Sequence, residues 1–151
     1  MEIVNTTEFN ALSIRTVTTS MPDFHKVIDE SFGEIMAYMQ HKGILCCGAP
    51  FIRYHSFDID NMDVDIGWPI QQEDAGDGRI KFIKVPGCRA VHETYKGPYS
   101  NLCEANKNVM NYISENGIKT AEWMYEVYPN SPEDTLPEDL ITEIYYPIIA
   151  D

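Results

Sequence analysis

An α+β fold built from two copies of one β-α-β-β unit is predicted by three observations. The hydrophobic pattern runs strand, helix, strand, strand, and then repeats in that order. Residues recur in register: Lys42-Gly43-Ile44 against Asn116-Gly117-Ile118 and Tyr54 against Tyr128, all 74 positions apart, then Ile66-Gly67-Trp68-Pro69-Ile70 against Ile144-Tyr145-Tyr146-Pro147-Ile148, 78 positions apart. The difference of four residues falls in the loop 130–139, and insertions belong in loops. The first copy is placed at about residues 12–70, a linker at 71–78 and the second copy at about 79–149. Such units present antiparallel sheets with one long helix each, and a pseudo-two-fold junction whose cleft is a favoured place for a ligand.

The elements follow from local pattern. Residues 12–19 (LSIRTVTT) alternate and are rich in β-branched side chains, which predicts a strand. Ser20-Met21-Pro22 reads as a cap followed by a proline in a first helical turn. Phe24, Val27, Ile28, Phe32, Ile35, Met36 and Met39 then recur at helical intervals until the basic turn His41-Lys42 and the stop Gly43. Strands are predicted at 51–57 and 64–70, joined by the turn-forming segment 58–63, and the polar run 71–78 (QQEDAGDG) separates the copies. In the second copy 79–85 and 88–95 read as strands, and Gly97-Pro98 opens a helix with the inward stripe Leu102, Ala105, Val109, Tyr112 and Ile113. Asn116-Gly117 ends that helix, and strands at 121–128 and 140–148 close the unit.

Composition narrows the function. Hydrophobic residues are 44% and charged residues 23% of the 151, as in a water-soluble globular domain, and no run approaches the ~20 apolar residues of a membrane span. The first nine residues carry two glutamates and no basic cluster, so no signal peptide is expected and the cytosol is the expected compartment. The net charge of −13 repels a phosphate backbone, disfavours nucleic acid and attracts cationic small molecules. An acidic surface also serves plain solubility. Cys46, Cys47, Cys88 and Cys103 form no CxxC pair and are expected to be small buried hydrophobes. His25, His41, His55 and His92 have no metal-ligand spacing, and the acidic turn at 58–63 lacks the glycine and terminal glutamate of a calcium loop. No cofactor or metal is expected.

Glu126 is the first candidate for chemistry, because it interrupts the apolar run Trp123-Met124-Tyr125-Glu126-Val127-Tyr128. Period-two alternation groups it with Met124 and Tyr128, and sets Trp123, Tyr125 and Val127 on the other face. A carboxylate among aromatic rings suits a lipophilic cation through ion pairing and cation–π attraction. A solvent-facing glutamate, or one paired with Arg53 or Lys84, satisfies the same pattern. In the last strand Tyr145 shares a face with Glu143, which suggests the more polar, cleft-facing side.

The segment Pro86-Gly87-Cys88-Arg89-Ala90-Val91-His92-Glu93-Thr94-Tyr95-Lys96-Gly97-Pro98-Tyr99 resembles the glycine- and GPY-bearing region of the GyrI-like, or AraC-type effector-binding, family. Asp65-Ile66-Gly67-Trp68-Pro69, Tyr125-Glu126-Val127-Tyr128 and the run 140–148 fit the same family in the same order. Cys88 stands where the family has a second glycine, and the helix after Tyr99 lacks a common tryptophan. The resemblance implies a duplicated, SHS2-like fold and multidrug-type binding of lipophilic or cationic compounds. It places Glu126 at the ligand, with Trp68, Tyr95 and Tyr145 as wall residues; Tyr54 is a further ligand-binding candidate. It also implies an alternative, a hydrolase opening the cyclopropane ring of DNA-alkylating natural products with Glu126 and Tyr145 as catalytic residues. A further alternative is a gyrase-interacting protection protein. With the first copy starting near Leu12 there is no room for a DNA-binding module, so a stand-alone domain is expected, with a separate regulator or gyrase as the protein partner the family suggests.

Overall fold

The computed structural model describes residues 1–56, 58 and 60–150, and they divide into two compact units: 8–86, and 1–7 together with 87 onward. The first comprises β2 (Phe9–Thr18), α1 (Met21–Lys42), β3 (Phe51–Tyr54), β4 (Met62–Ile70) and β5 (Ile80–Val85). Its antiparallel strands run in the order β3-β4-β2-β5. The second comprises β1 (Glu2–Asn5), β6 (Arg89–Lys96), α2 (Leu102–Glu115), β7 (Lys119–Thr120), β8 (Met124–Val127) and β9 (Ile141–Ala150). There β9 lies between β6 and β8 and also pairs β7, while β1 lines the far side of β6. The duplicated β-α-β-β order is therefore β2-α1-β3-β4 and β6-α2-β8-β9.

Each unit borrows its outer strand. β1 precedes β2 in the chain yet pairs with β6, and β5 precedes β6 yet pairs with β2. The hydrophobic pattern assigned 79–85 to the second copy. In space that strand completes the first unit. The acidic N-terminal stretch, which the pattern left without an element, supplies the matching strand β1, whose four residues are too few to show alternation. The predicted strand end at Phe57 lies outside the described residues.

Helix boundaries obey the signals in the chain. Ser20 caps α1, its hydroxyl accepting from the Asp23 N–H, with proline in the first turn and Gly43 leaving at φ 71°. Such a cap contributes about 1 kcal/mol. The same stop ends α2: the Ile44 N–H bonds the Met39 carbonyl, and the Ile118 N–H bonds the Ile113 carbonyl, 74 positions on. α2 enters through a 3₁₀ turn (Tyr99–Asn101) rather than directly after Gly97-Pro98. α1 packs on its sheet through a core of Leu12, Ile14, Ile35, Met39, Ile70 and Ile80, with Trp68 and Phe82 at its margin. The loop 130–139 is closed at its base by Asn130, which donates to the Asp139 carbonyl and accepts from the Ile141 N–H.

Cysteine placement departs from the expected burial. Cys46, Cys47 and Cys103 are exposed and Cys88 is half-buried, all as free thiols. The loop after α1 turns too soon for Cys46 and Cys47 to reach the core, the Cys47 N–H being held by the Pro69 carbonyl. Among the described residues, no helix is long and apolar enough to cross a membrane.

Candidate functional site

Glu126 is 2% exposed, on the face of the β8–β9 pair that α2 covers. A carboxylate taken from water without donors costs several kcal/mol, roughly. The fold supplies donors. Tyr128 Oη donates to one carboxylate oxygen at 2.9 Å and Asn106 Nδ2 donates to the other at 3.0 Å. Hydrogen bonds to a charged group contribute about 1.5–3 kcal/mol each. The second Nδ2 hydrogen of Asn106 reaches the Leu102 carbonyl at 3.1 Å, one turn back along α2. Its Oδ1 accepts from Tyr146 Oη at 2.7 Å. Every polar atom of the amide is thus committed in one orientation.

Two tyrosines near the carboxylate, Tyr146 and Tyr99, hold their phenol protons more tightly than usual. Burial, then the charge of Glu126, pushes the Tyr146 phenol well above its ordinary range. Burial and the same charge raise Tyr99, whose ring meets Tyr128 edge-on at 5.9 Å.

The first repeat shows what this site is without its polar groups. Glu126 pairs across from Ile144 as Ile52 pairs across from Ile66, and Ile52 is also 2% exposed. At the helical position 74 before Asn106 stands Phe32, whose ring meets Trp68 edge-on at 5.9 Å and whose carbonyl accepts from Trp68 Nε1 at 3.3 Å. Trp68 in turn is the counterpart of Tyr146. Val64 is the counterpart of Thr142, which is fully buried with no hydrogen-bond partner for its hydroxyl among the described residues. Four apolar positions of one repeat are polar in the other, so the glutamate is not a demand of the fold.

The opposite face of the second unit carries a different arrangement. Tyr125 pairs across from Tyr145, and the two rings stack at 4.8 Å. Trp123 continues the column at 6.0 Å beyond Tyr125, and His92 at 4.8 Å beyond Tyr145. Glu143 accepts from the Thr94 hydroxyl and bonds His92 Nε2, while Glu2 meets His92 Nδ1 at 3.1 Å. Burial pushes Tyr125 up to about 12. Burial, then the charges of Glu143 and Glu2, raises Tyr145.

These faces separate residues that the sequence pattern joined. Glu126 and Tyr145 are not brought together, because their partners across β9 and β8 alternate sides. Tyr95 lies on the Glu126 side of the sheet by register, but its hydroxyl is spent on the Pro98 carbonyl at 2.8 Å, inside the turn that Gly97 allows. Trp68 packs against α1 in the first unit, and Tyr54 meets Phe24 of α1 at 6.1 Å there. Asn106 was not foreseen. Its only mark in the sequence is a polar residue where the other repeat has Phe32. Among the described residues, no group of three or more His, Cys, Asp or Glu side chains is gathered to hold a metal.

Comparisons with known proteins agree with this architecture. The EcmrR C-terminal domain superposes with a TM-score of 0.87 at 23% identity, over 99% of this chain and 97% of that one. SAV2435, solved bound to tetraphenylphosphonium, superposes with a TM-score of 0.69 at 14% identity, over 98% and 93%. A protein from Listeria innocua described as a hydrolase gives 0.64 at 17%, over 98% and 91%. These identities speak for the fold alone. No curated protein matches the sequence. The family model for the GyrI-like small-molecule-binding domain matches residues 1–149, and the chain therefore belongs to that family.

Proposed function

We propose that this domain binds a lipophilic cation, with Glu126 as its counter-charge and the rings of Tyr128, Tyr99 and Tyr146 as neighbouring aromatic surface. The observation that carries the reading is the buried carboxylate held by Asn106 and Tyr128 where the other repeat has Ile52. Two donated hydrogen bonds favour the charged form of a carboxylate, and a buried charge acts through a low dielectric, so a desolvated cation meets it with more force than in water. The ligand of SAV2435 supports the choice of probe. Titration calorimetry with tetraphenylphosphonium should give binding that falls about tenfold or more in Glu126→Gln. Equal affinity in the two proteins would overturn the reading.

A second reading, hydrolysis of a cyclopropane, is favoured by one contact, the Tyr128 hydroxyl 2.9 Å from Glu126. Glu126 would deprotonate water and a phenol on its own face would protonate the departing carbon. Here Tyr128 takes the part that the sequence suggests for Tyr145. Incubation with a cyclopropane-bearing alkylator, followed by mass spectrometry, separates the two: a product heavier by one water, lost in Glu126→Gln, supports turnover, and recovery of unchanged compound rejects it.

A further inference from the structure

We infer that Asn106, with Tyr146 behind it, is the positioning residue that holds Glu126 as an oriented carboxylate and so makes the second repeat select cations over neutral molecules of the same shape. This rests on the ligand reading above and assigns selectivity to Asn106, which need not touch the ligand, and to the Tyr146 hydroxyl behind it.

The argument begins with a coordinated replacement. In the first repeat Phe32 of α1 meets Trp68 of β4, and Ile52 of β3 is buried; Asn106, Tyr146 and Glu126 occupy the matching positions in the second. A glutamate in place of Ile52 alone would be a buried carboxylate, with Phe32 and Trp68 standing where the second repeat has its asparagine and tyrosine, and it would take up a proton or destabilise the fold. Changing the helix position to asparagine supplies one donor. Changing the strand position to tyrosine supplies the hydroxyl that occupies Oδ1.

The direction of each bond is forced. Leu102 presents a carbonyl and Glu126 a carboxylate, both acceptors, so the Asn106 NH₂ must face them and its Oδ1 must face Tyr146. Tyr146 then donates. A flipped amide would set Oδ1 against both the Leu102 carbonyl oxygen and the Glu126 carboxylate. Asn106 therefore holds one carboxylate oxygen at a fixed position on α2, and Tyr128 holds the other. Helix and strand are both rigid supports, and a charge fixed in advance costs a ligand less ordering than one that must be recruited.

The test uses Asn106→Leu and Tyr146→Phe in the whole domain, since Phe32 shows that the fold accepts an apolar side chain at the first position. Affinity for tetraphenylphosphonium is measured by calorimetry beside that for neutral triphenylphosphine oxide. Asn106→Leu should weaken the cation about tenfold and Tyr146→Phe roughly threefold, with the neutral compound unchanged. In a Glu126→Gln background, Asn106→Leu should add nothing. Independently of any ligand, the Glu126 side-chain carboxyl carbon, followed by NMR at neutral pH, should move towards the protonated position in Asn106→Leu. An unmoved resonance, or equal losses for cation and neutral compound, would make Asn106 a packing residue and overturn the inference. Should the wild type bind no tetraphenylphosphonium while the resonance moves, the ligand reading fails and the positioning role stands.

Discussion

Glu126 and Tyr145 occupy opposite faces of one antiparallel strand pair: Tyr145 stacks at 4.8 Å on Tyr125, the residue next to Glu126, while Glu126 sits across from Ile144. The phenol on the carboxylate's own side is Tyr128. Removing one hydroxyl should therefore matter and removing the other should not. Tyr128→Phe is expected to weaken tetraphenylphosphonium binding about three- to tenfold, and Tyr145→Phe to leave it within about twofold, in calorimetric titrations under one buffer. The reverse order would place the ligand on the Tyr145 column.

The contrast also marks where sequence reasoning stopped. Period two within one strand grouped Glu126 with Tyr128 correctly, because alternation is a property of the chain alone. Placing Tyr145 beside Glu126 needed the register of β8 against β9, and register is fixed by pairing between distant segments. The polarity of Glu143 suggested a cleft-facing side; in the structure that carboxylate serves Thr94 and His92 instead. Both helix stops were legible, since Gly43 and Gly117 stand at matching positions of the repeat. The exchange of β1 and β5 between units was not, because each is a short edge strand whose partner lies far along the sequence. Asn106 was invisible for a different reason: an asparagine in a helix is ordinarily a surface residue, and only its comparison with Phe32 gives it meaning.

Thr142→Val should stabilise the domain. Thr142 is fully buried, its hydroxyl has no partner among the described residues, and the first repeat places Val64 at the matching strand position. Exchanging an unsatisfied hydroxyl for a methyl group of the same shape removes a desolvation cost, for a gain of about 1 kcal/mol. Urea unfolding monitored by circular dichroism measures it. A loss of stability would show that the hydroxyl is hydrogen-bonded in solution.

A pH window follows from Tyr38 of α1 and Asp74 of the connection between β4 and β5, bonded at 2.6 Å. The bond to Asp74, chiefly, raises the Tyr38 phenol from an ordinary 10.0 to about 12, and the same bond, with the Gly76 N–H, lowers Asp74. A phenol raised in the folded state contributes stability that is complete below its unfolded value and is lost as pH climbs through about 12. A depressed carboxyl contributes above its unfolded value, about 3.9, and loses that as pH falls through the lower folded value. The stability difference between wild type and Tyr38→Phe should thus be flat between about pH 5 and 9 and should shrink at both extremes. Denaturant midpoints across that range check it, and a difference that grows towards alkaline pH would contradict the bond.

Two glycines should answer alanine in opposite ways. Gly67 of β4 holds the strand position matched by Tyr145, yet a Cβ there would lie 2.8 Å from the Leu12 carbonyl oxygen and 2.8 Å from the ring of Phe51. Phe51 is fully buried and faces Phe9 edge-on at 5.2 Å, so the ring has nowhere to retreat, and the Leu12 carbonyl is fixed in β2. In the second repeat the side chains at the matching positions, Tyr125 and Tyr145, stack instead of one ring lying over a glycine. Gly67→Ala should cost about 1–3 kcal/mol through overpacking. At Gly33, in the middle of α1, an added Cβ would meet nothing within 4 Å, so Gly33→Ala should stabilise by about 0.5–1 kcal/mol through helix propensity. Thermal unfolding of both variants beside wild type reads the two signs at once. If Gly67→Ala were neutral, the close packing of Phe51 against β4 would not exist in solution; if it is costly, Phe51→Leu in the same background should restore part of the loss, because only the ring half of the clash is relieved.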